Sequence, residues 1–251
     1  MSNTYKMSWA RAITEFLITN TETEIIRLEQ LAPLVFKYYW NQTIFFDLKQ
    51  GPLTATPVIY QIVKGEISKR QYAYPVMFTP KVQDEVNIPI NKICKELARY
   101  VCKAFLILDK QSLNIYDYSE ETRTINVAHP EIWTKYSAVL LELINYRWVR
   151  ELEKYNSSPR ISQKVRGTDQ GKIKRGSLAK FKKYLYEENR KRICFISGEV
   201  IREGQESIDH VIPWSYLYSD DLWNLVLVSK RANSSKSNRR PSEEMIQRLE
   251  E

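Results

Sequence analysis

The chain has 251 residues, 43% of them hydrophobic and 27% charged, the balance of a globular protein built as one large domain or two small ones. Its most apolar stretches, such as residues 104–108 and 138–141, fall far short of the ~20 residues that span a bilayer, and residues 1–11 lack the basic-then-apolar order of a secretory leader, so a cytoplasmic protein with no membrane partner is expected. The net charge of +8 is concentrated: residues 157–194 carry 12 Lys+Arg against 3 Asp+Glu, whereas residues 1–156 carry 19 against 17 and residues 195–251 carry 7 against 10, a footprint for a polyanion or equally a solvated basic linker.

Residues 8–156 have mainly helical periodicity. Trp9–Ile18 is a short amphipathic stretch, and residues 22–40 repeat apolar side chains (Ile25, Ile26, Leu28, Leu31, Leu34, Val35) at helical spacing. Thr21 or Thr23 would cap that helix, and Pro33 should kink or break it. Ile90–Leu108 gathers Ile90, Ile93, Leu97, Val101 and Phe105 on one face, and Glu131–Tyr155 does the same with Val139, Leu140, Leu143, Ile144 and Trp148. Between them, Ser112–Val127 alternates around Ser119-Glu120-Glu121, which predicts a β-hairpin. That hairpin fits a winged-helix-like unit or a cap on a helical bundle, and periodicity does not separate the two. Asn156–Gly176 is poor in apolar residues and holds three of the seven glycines, as a linker would, and Ser177–Arg192 reads as a basic helix.

Residues 193–246 carry the chemistry. Ile193–Ile196 is strand-like, Ser197-Gly198-Glu199 turns it, and Val200-Ile201 runs back. Asp209-His210-Val211-Ile212-Pro213 follows, then a polar loop through Ser219-Asp220-Asp221, then Asn224 ahead of the apolar run Leu225–Val228. Asn233-Ser234-Ser235-Lys236 leads into Pro241-Ser242-Glu243-Glu244, a helix start. Taken singly, Asp209-His210 is an ordinary structural pair, Asn224 a turn residue and Asn233 a helix cap; their joint order and spacing carry the weight. His129, ahead of Pro130 in a loop, reads as structural.

This frame resembles the HNH (ββα-metal) endonuclease family, and most closely its non-zinc subgroup, which includes the HNH domain of the RNA-guided CRISPR DNA nuclease. The resemblance implies that His210 is the general base, that Asp209 and Asn233 ligate one divalent ion, Mg²⁺ or Mn²⁺, and that Asn224 fixes the loop and the His orientation. As neighbours on a strand, Asp209 and His210 should face opposite ways, so a twist at the strand end or ligation from different sides must reconcile them. Lys236 could contact a phosphate, and Arg239, Lys172, Lys174, Arg175, Lys180, Lys182 and Lys183 are the other candidate nucleic-acid contacts. No structural zinc is expected, because Cys194 stands without a Cys-x-x-Cys partner and Cys94 and Cys102 sit on a predicted helix.

The expected architecture is α+β: a mostly helical domain of unassigned role over residues 1–156, a basic linker over 157–176, and a small ββα-metal domain over 177–251. The implied activity is metal-dependent hydrolysis of phosphodiester bonds in double-stranded DNA, one strand per site, in a setting such as restriction or phage defence. A homodimer or a regulatory protein partner is compatible with it. The alternatives are a nucleic-acid-binding module whose nuclease is gated by a partner protein, or an RNA-cutting toxin.

Overall fold

The computed structural model describes residues 3–21, 23–72, 74–169, 175–236 and 239–250. The chain divides into two compact units, Met1–Ser157 with Ile161–Lys172, and Ser158–Arg160 with Ile173–Glu251. Among the described residues no helix is long and apolar enough to cross a membrane.

The first unit is largely helical: α1 (Tyr5–Thr19), α2 (Leu28–Phe46), α3 (Val58–Arg70), α4 (Pro80–Glu85), α5 (Ile90–Leu97), α6 (Pro130–Lys135), α7 (Ser137–Glu153) and α8 (Ile161–Asp169). Its core includes Trp9, Trp40 and Trp148, all fully buried. At ~150–250 Å² and ~25 cal/mol per Å², each contributes about 4–6 kcal/mol of transfer free energy. The polar groups inside are matched to one another. Gln50 accepts from Thr4 and from the Trp148 indole and donates to Gln42, which removes the cost of burying an amide unpaired.

Several boundaries differ from the periodic reading. Residues 25–27 form strand β1, so α2 starts only at Leu28. Its first turn is closed by the Arg27 backbone N–H donating to Gln30 Oε1 (2.9 Å), not by Thr21 or Thr23. The helix runs through Pro33, which lacks the N–H that would have bonded to the carbonyl four residues earlier. The Ile90–Leu108 stretch is a regular helix only to Leu97, then a π-turn over Ala98–Cys102. Glu131–Tyr155 is split at Tyr136 into α6 and α7.

The hairpin lies where alternation placed it, as β4 (Tyr116–Ser119) against β5 (Thr124–Val127), with two-residue strands β2 (Ile107–Leu108) and β3 (Gln111–Ser112) pairing before it. Strand β1 adds to its other edge in the order β1-β5-β4. Tyr116, Ile125 and Val127 turn into the helical core, so its inner face serves packing. Residues 161–169, expected within a linker, are α8: Ile161 and Val165, four residues apart, are buried in the same core. Glycine and charge around that short helix mask its two anchors.

The second unit contains α9 (Lys182–Glu188), β6 (Glu206–His210), α10 (Trp214–Leu217), β7 (Leu225–Ser229), α11 (Lys230–Lys236) and α12 (Glu243–Glu250). The expected basic helix opens as a 3-10 turn, Leu178–Phe181, and ends at Glu188. Ile193–Ile196 is not a strand but one arm of a turn closed by a single Ile193–Val200 bridge. Antiparallel β6 and β7 place Asp209 opposite Val226 and His210 opposite Leu225. The apolar core is small, with Cys194, Ile201, Leu227 and Val228 buried, and hydrogen bonds supplement it. Cys194 Sγ accepts from the N–H groups of Ser197 (3.5 Å) and Ser229 (3.3 Å), and Arg248 donates to the Phe195 carbonyl (2.8 Å). Burial pushes the Cys194 thiol up, but hydrogen bonds from Ser197 and the neighbouring backbone outweigh it and bring the thiol down to about 7.

Candidate active site

Side chains alternate along β6, so Ser207 and Asp209 share one face and His210 takes the other. Helix α11 lies over the first face. Asn233 and Lys236, three residues apart on α11, point the same way. Asn233 Nδ2 donates to Ser207 Oγ (2.8 Å), and Lys236 Nζ donates to Asp209 Oδ2 (2.8 Å). The helix thus sets the Asn233 carboxamide and the Asp209 carboxylate along one strip of the strand. Lys236 also donates to the His210 carbonyl (2.6 Å), so it grips the strand end where a phosphate contact was expected. The ion pair is nearly dry, with side chains 7% and 14% exposed, which lifts its attraction above that of a surface pair.

His210 is buried on the opposite face. Its Nε2 lies 3.0 Å from Asp220 Oδ1. Burial pulls its pKa below the usual 6.5, and this outweighs the upward push of Asp220 and Asp209, with Arg175 adding to the fall. The ring is therefore neutral at pH 7, with a lone pair able to take a proton.

Asn224 is fully buried at the start of β7. Its Oδ1 accepts from the Ile212 N–H (2.8 Å), its Nδ2 donates to the Ile212 carbonyl (2.9 Å), and its own carbonyl accepts from Val211 N–H. These bonds clamp the chain immediately after His210, so Asn224 acts on the loop rather than on the ring.

The loop from Trp214 to Asp221 is fixed in turn. Tyr218 adopts a left-handed conformation (φ 56°) and its ring packs on Trp214. Ser219 donates to Asp221, which also pairs with Arg160 (3.3 Å). Arg175 stacks over Trp214 at 5.3 Å. A Cβ on Gly176 would come within 3.0 Å of Asp220 Oδ2, so a side chain there would press on that carboxylate.

The other basic candidates lie on the unit's surface. Lys180, Lys182, Lys183 and Arg239 are exposed, with Lys180 over the Phe181 ring and Lys182 over Tyr186. Lys172 and Lys174 lie outside the described residues. Asp209, His210, Asn224, Asn233 and Lys236 are thus gathered by β6, β7 and α11. Asp220, Arg160 and Gly176 join them through loop closure, which leaves no periodic signal, whereas Ser207, two residues before Asp209 on β6, follows from strand alternation.

The donor set suits a hard divalent cation: one carboxylate and one carboxamide oxygen, the ligand types that Mg²⁺ shares with substrate phosphates and water. No group of three or more His, Cys, Asp or Glu side chains converges among the described residues. A family model described as HNH endonuclease matches residues 195–242, from the turn after Cys194 through α11, and leaves the helical unit outside it. Comparison with curated proteins and with solved structures gives no match.

Proposed function

From a chain whose second unit carries an HNH endonuclease domain, a nuclease module acting on nucleic acid, we propose a DNA endonuclease that depends on one divalent cation, Mg²⁺ or Mn²⁺. The observation that carries this reading is the union, on one β6–β7–α11 element, of an oxygen-donor face and a buried histidine held 3.0 Å from Asp220. Asp209 and Asn233 would hold the cation. When bound, it supplies charge stabilisation at the scissile phosphate and at the leaving oxygen. His210 accepts the proton of the attacking water as its oxygen bonds to phosphorus and the bond from phosphorus to the leaving sugar oxygen breaks, that oxygen taking a proton from solvent water. Asn224 keeps the chain after His210 in the one path that presents the ring. Because Asp209 and His210 face opposite ways at the strand end, cation and base approach a phosphate there from different sides.

Lys236 gives this site a cost for cation binding, since its ammonium already neutralises Asp209. Removing one unit charge at ~4 Å is worth about 1–4 kcal/mol across the range from bulk water to an effective dielectric near 20. Lys236→Met should therefore tighten Mn²⁺ binding about tenfold or more, measured by calorimetry or by the loss of the free Mn²⁺ spin resonance. Unchanged affinity would remove Asp209 from the cation site.

Lys180, Lys182, Lys183, Arg239 and Arg175 are suited to phosphate contacts, which attract DNA without reading sequence. Changing Lys180, Lys182 and Lys183 together to Ala should weaken binding similarly on unrelated duplexes. It should also flatten the slope of log K against log salt by up to about 2.7, at about 0.9 per lost contact. A slope equal to the wild type's would put the phosphate path elsewhere. Matched DNA and RNA duplexes of one sequence, incubated with the purified chain and Mg²⁺ or Mn²⁺, test the substrate: DNA cleavage with RNA intact is expected, and the reverse would favour the RNA-cutting alternative.

A further inference from the structure

We infer that Asp220 is a positioning residue that holds His210 in the Nε2–H tautomer and leaves Nδ1 as the atom that accepts the proton; this rests on the nuclease reading only for its rate arm.

Four features of the loop support the assignment. A carboxylate oxygen only accepts, so at 3.0 Å the facing nitrogen must be the donor. In a neutral imidazole one nitrogen donates and the other carries the lone pair, so a proton fixed on Nε2 places the lone pair on Nδ1. The pair is shielded, with side chains 4% and 21% exposed, so water competes poorly for either partner. Finally, the chain beside the carboxylate is anchored both from within the loop and from outside it. Asp221 beside it is anchored by Ser219 and by Arg160, the Asn224 N–H donates to the Asp221 carbonyl, and Gly176 leaves the room that Oδ2 occupies.

No bond is made or broken by Asp220 itself. Its effect on the reaction is the orientation of the ring that takes the proton. Glutamate could restore the contact only by shifting the loop, and asparagine could offer either an oxygen or an amide to Nε2. Alanine, glutamate and asparagine at this position therefore separate charge from geometry.

The test exploits the presence of only two histidines in the chain. His129 is exposed and its Nδ1 faces Glu131 Oε1 at 3.2 Å, so any tautomer bias there is toward Nδ1–H, opposite to that expected of His210. Long-range proton–nitrogen correlation spectra of imidazole-labelled full-length protein are expected to show His210 as the Nε2–H tautomer. Asp220→Ala should give a mixture of tautomers, lower kcat for DNA cleavage about a hundredfold, and leave KM within about twofold. Asp220→Glu should recover part of both losses, and Asp220→Asn, nearly the same size, guards against a result caused by misfolding. If Asp220→Ala retains the Nε2–H tautomer, or if the tautomer changes while kcat does not, the assignment is overturned. Should the wild type prove inert on DNA, the nuclease reading fails, and the spectra alone decide whether Asp220 positions the ring.

Discussion

Replacing His210 with Ala lowers the rate of DNA cleavage by about 10²–10⁴-fold, the usual worth of a positioned general base, with DNA affinity unchanged. The expectation follows from where the ring lies. It is buried on the face of β6 away from Asp209, with its pKa lowered by burial, so under the proposed reading it serves proton transfer rather than the holding of the cation or the phosphates. Truncation also leaves Asp220 without its Nε2 partner and opens a small cavity, so His210→Gln should accompany it as a variant of similar volume. Both should lose cleavage while retaining Mn²⁺ binding. Loss of Mn²⁺ binding in both would show that the ring is a ligand, and the division of labour between the two faces would be wrong.

Asn224→Ala is expected to be the most damaging substitution for the stability of the second unit. The side chain satisfies the Ile212 N–H and the Ile212 carbonyl together, at 2.8 and 2.9 Å, from a fully buried position. Leaving buried polar groups unpaired costs about 1–3 kcal/mol each, so a loss of about 2–6 kcal/mol is expected for the two. For a domain of 60–100 residues, each kcal/mol shifts Tm by roughly 4–8 °C. Calorimetry should show the transition of the second unit falling by about 10 °C or more. The core of the first unit, with its own Gln50-centred network, should be unaffected. Asn224→Asp should do no better, because it sets a carboxylate oxygen against the Ile212 carbonyl. If Asn224→Ala were as stable as the wild type and lost only cleavage, the clamp would be a direct catalytic contact instead.

What the sequence made legible was the part that short-range order dictates. Asp209-His210 on a strand and Asn224 just ahead of the next strand follow periods of two, whereas α11, the helix that carries Asn233 and Lys236 on one face, was not read from the sequence, which put a helix start only at 241–244. The period of two also places Ser207 beside Asp209. Asp220 was invisible for the opposite reason. It returns to His210 through a ten-residue excursion shaped by a left-handed Tyr218 and by the Arg160–Asp221 pair, neither of which has a periodic signature. Gly176 looked like linker composition, yet it borders Asp220. In the helical unit, periodicity marked the apolar faces of α2, α5 and α7 but not their ends, because capping by Gln30 and the breaks at Leu97 and Tyr136 depend on tertiary packing. Helix α8 was hidden by having only two apolar anchors, Ile161 and Val165.

The most direct measurement is cleavage of supercoiled plasmid by the purified full-length chain with Mg²⁺ or Mn²⁺, beside EDTA and the His210→Ala variant. Nicked, then linear, product is expected from the wild type with either metal, none in EDTA, and at least about a hundredfold less from the variant. Intact plasmid with every divalent metal, in the presence of demonstrated DNA binding, would contradict the endonuclease reading and would make the chain a nucleic-acid-binding module whose nuclease acts only with a partner.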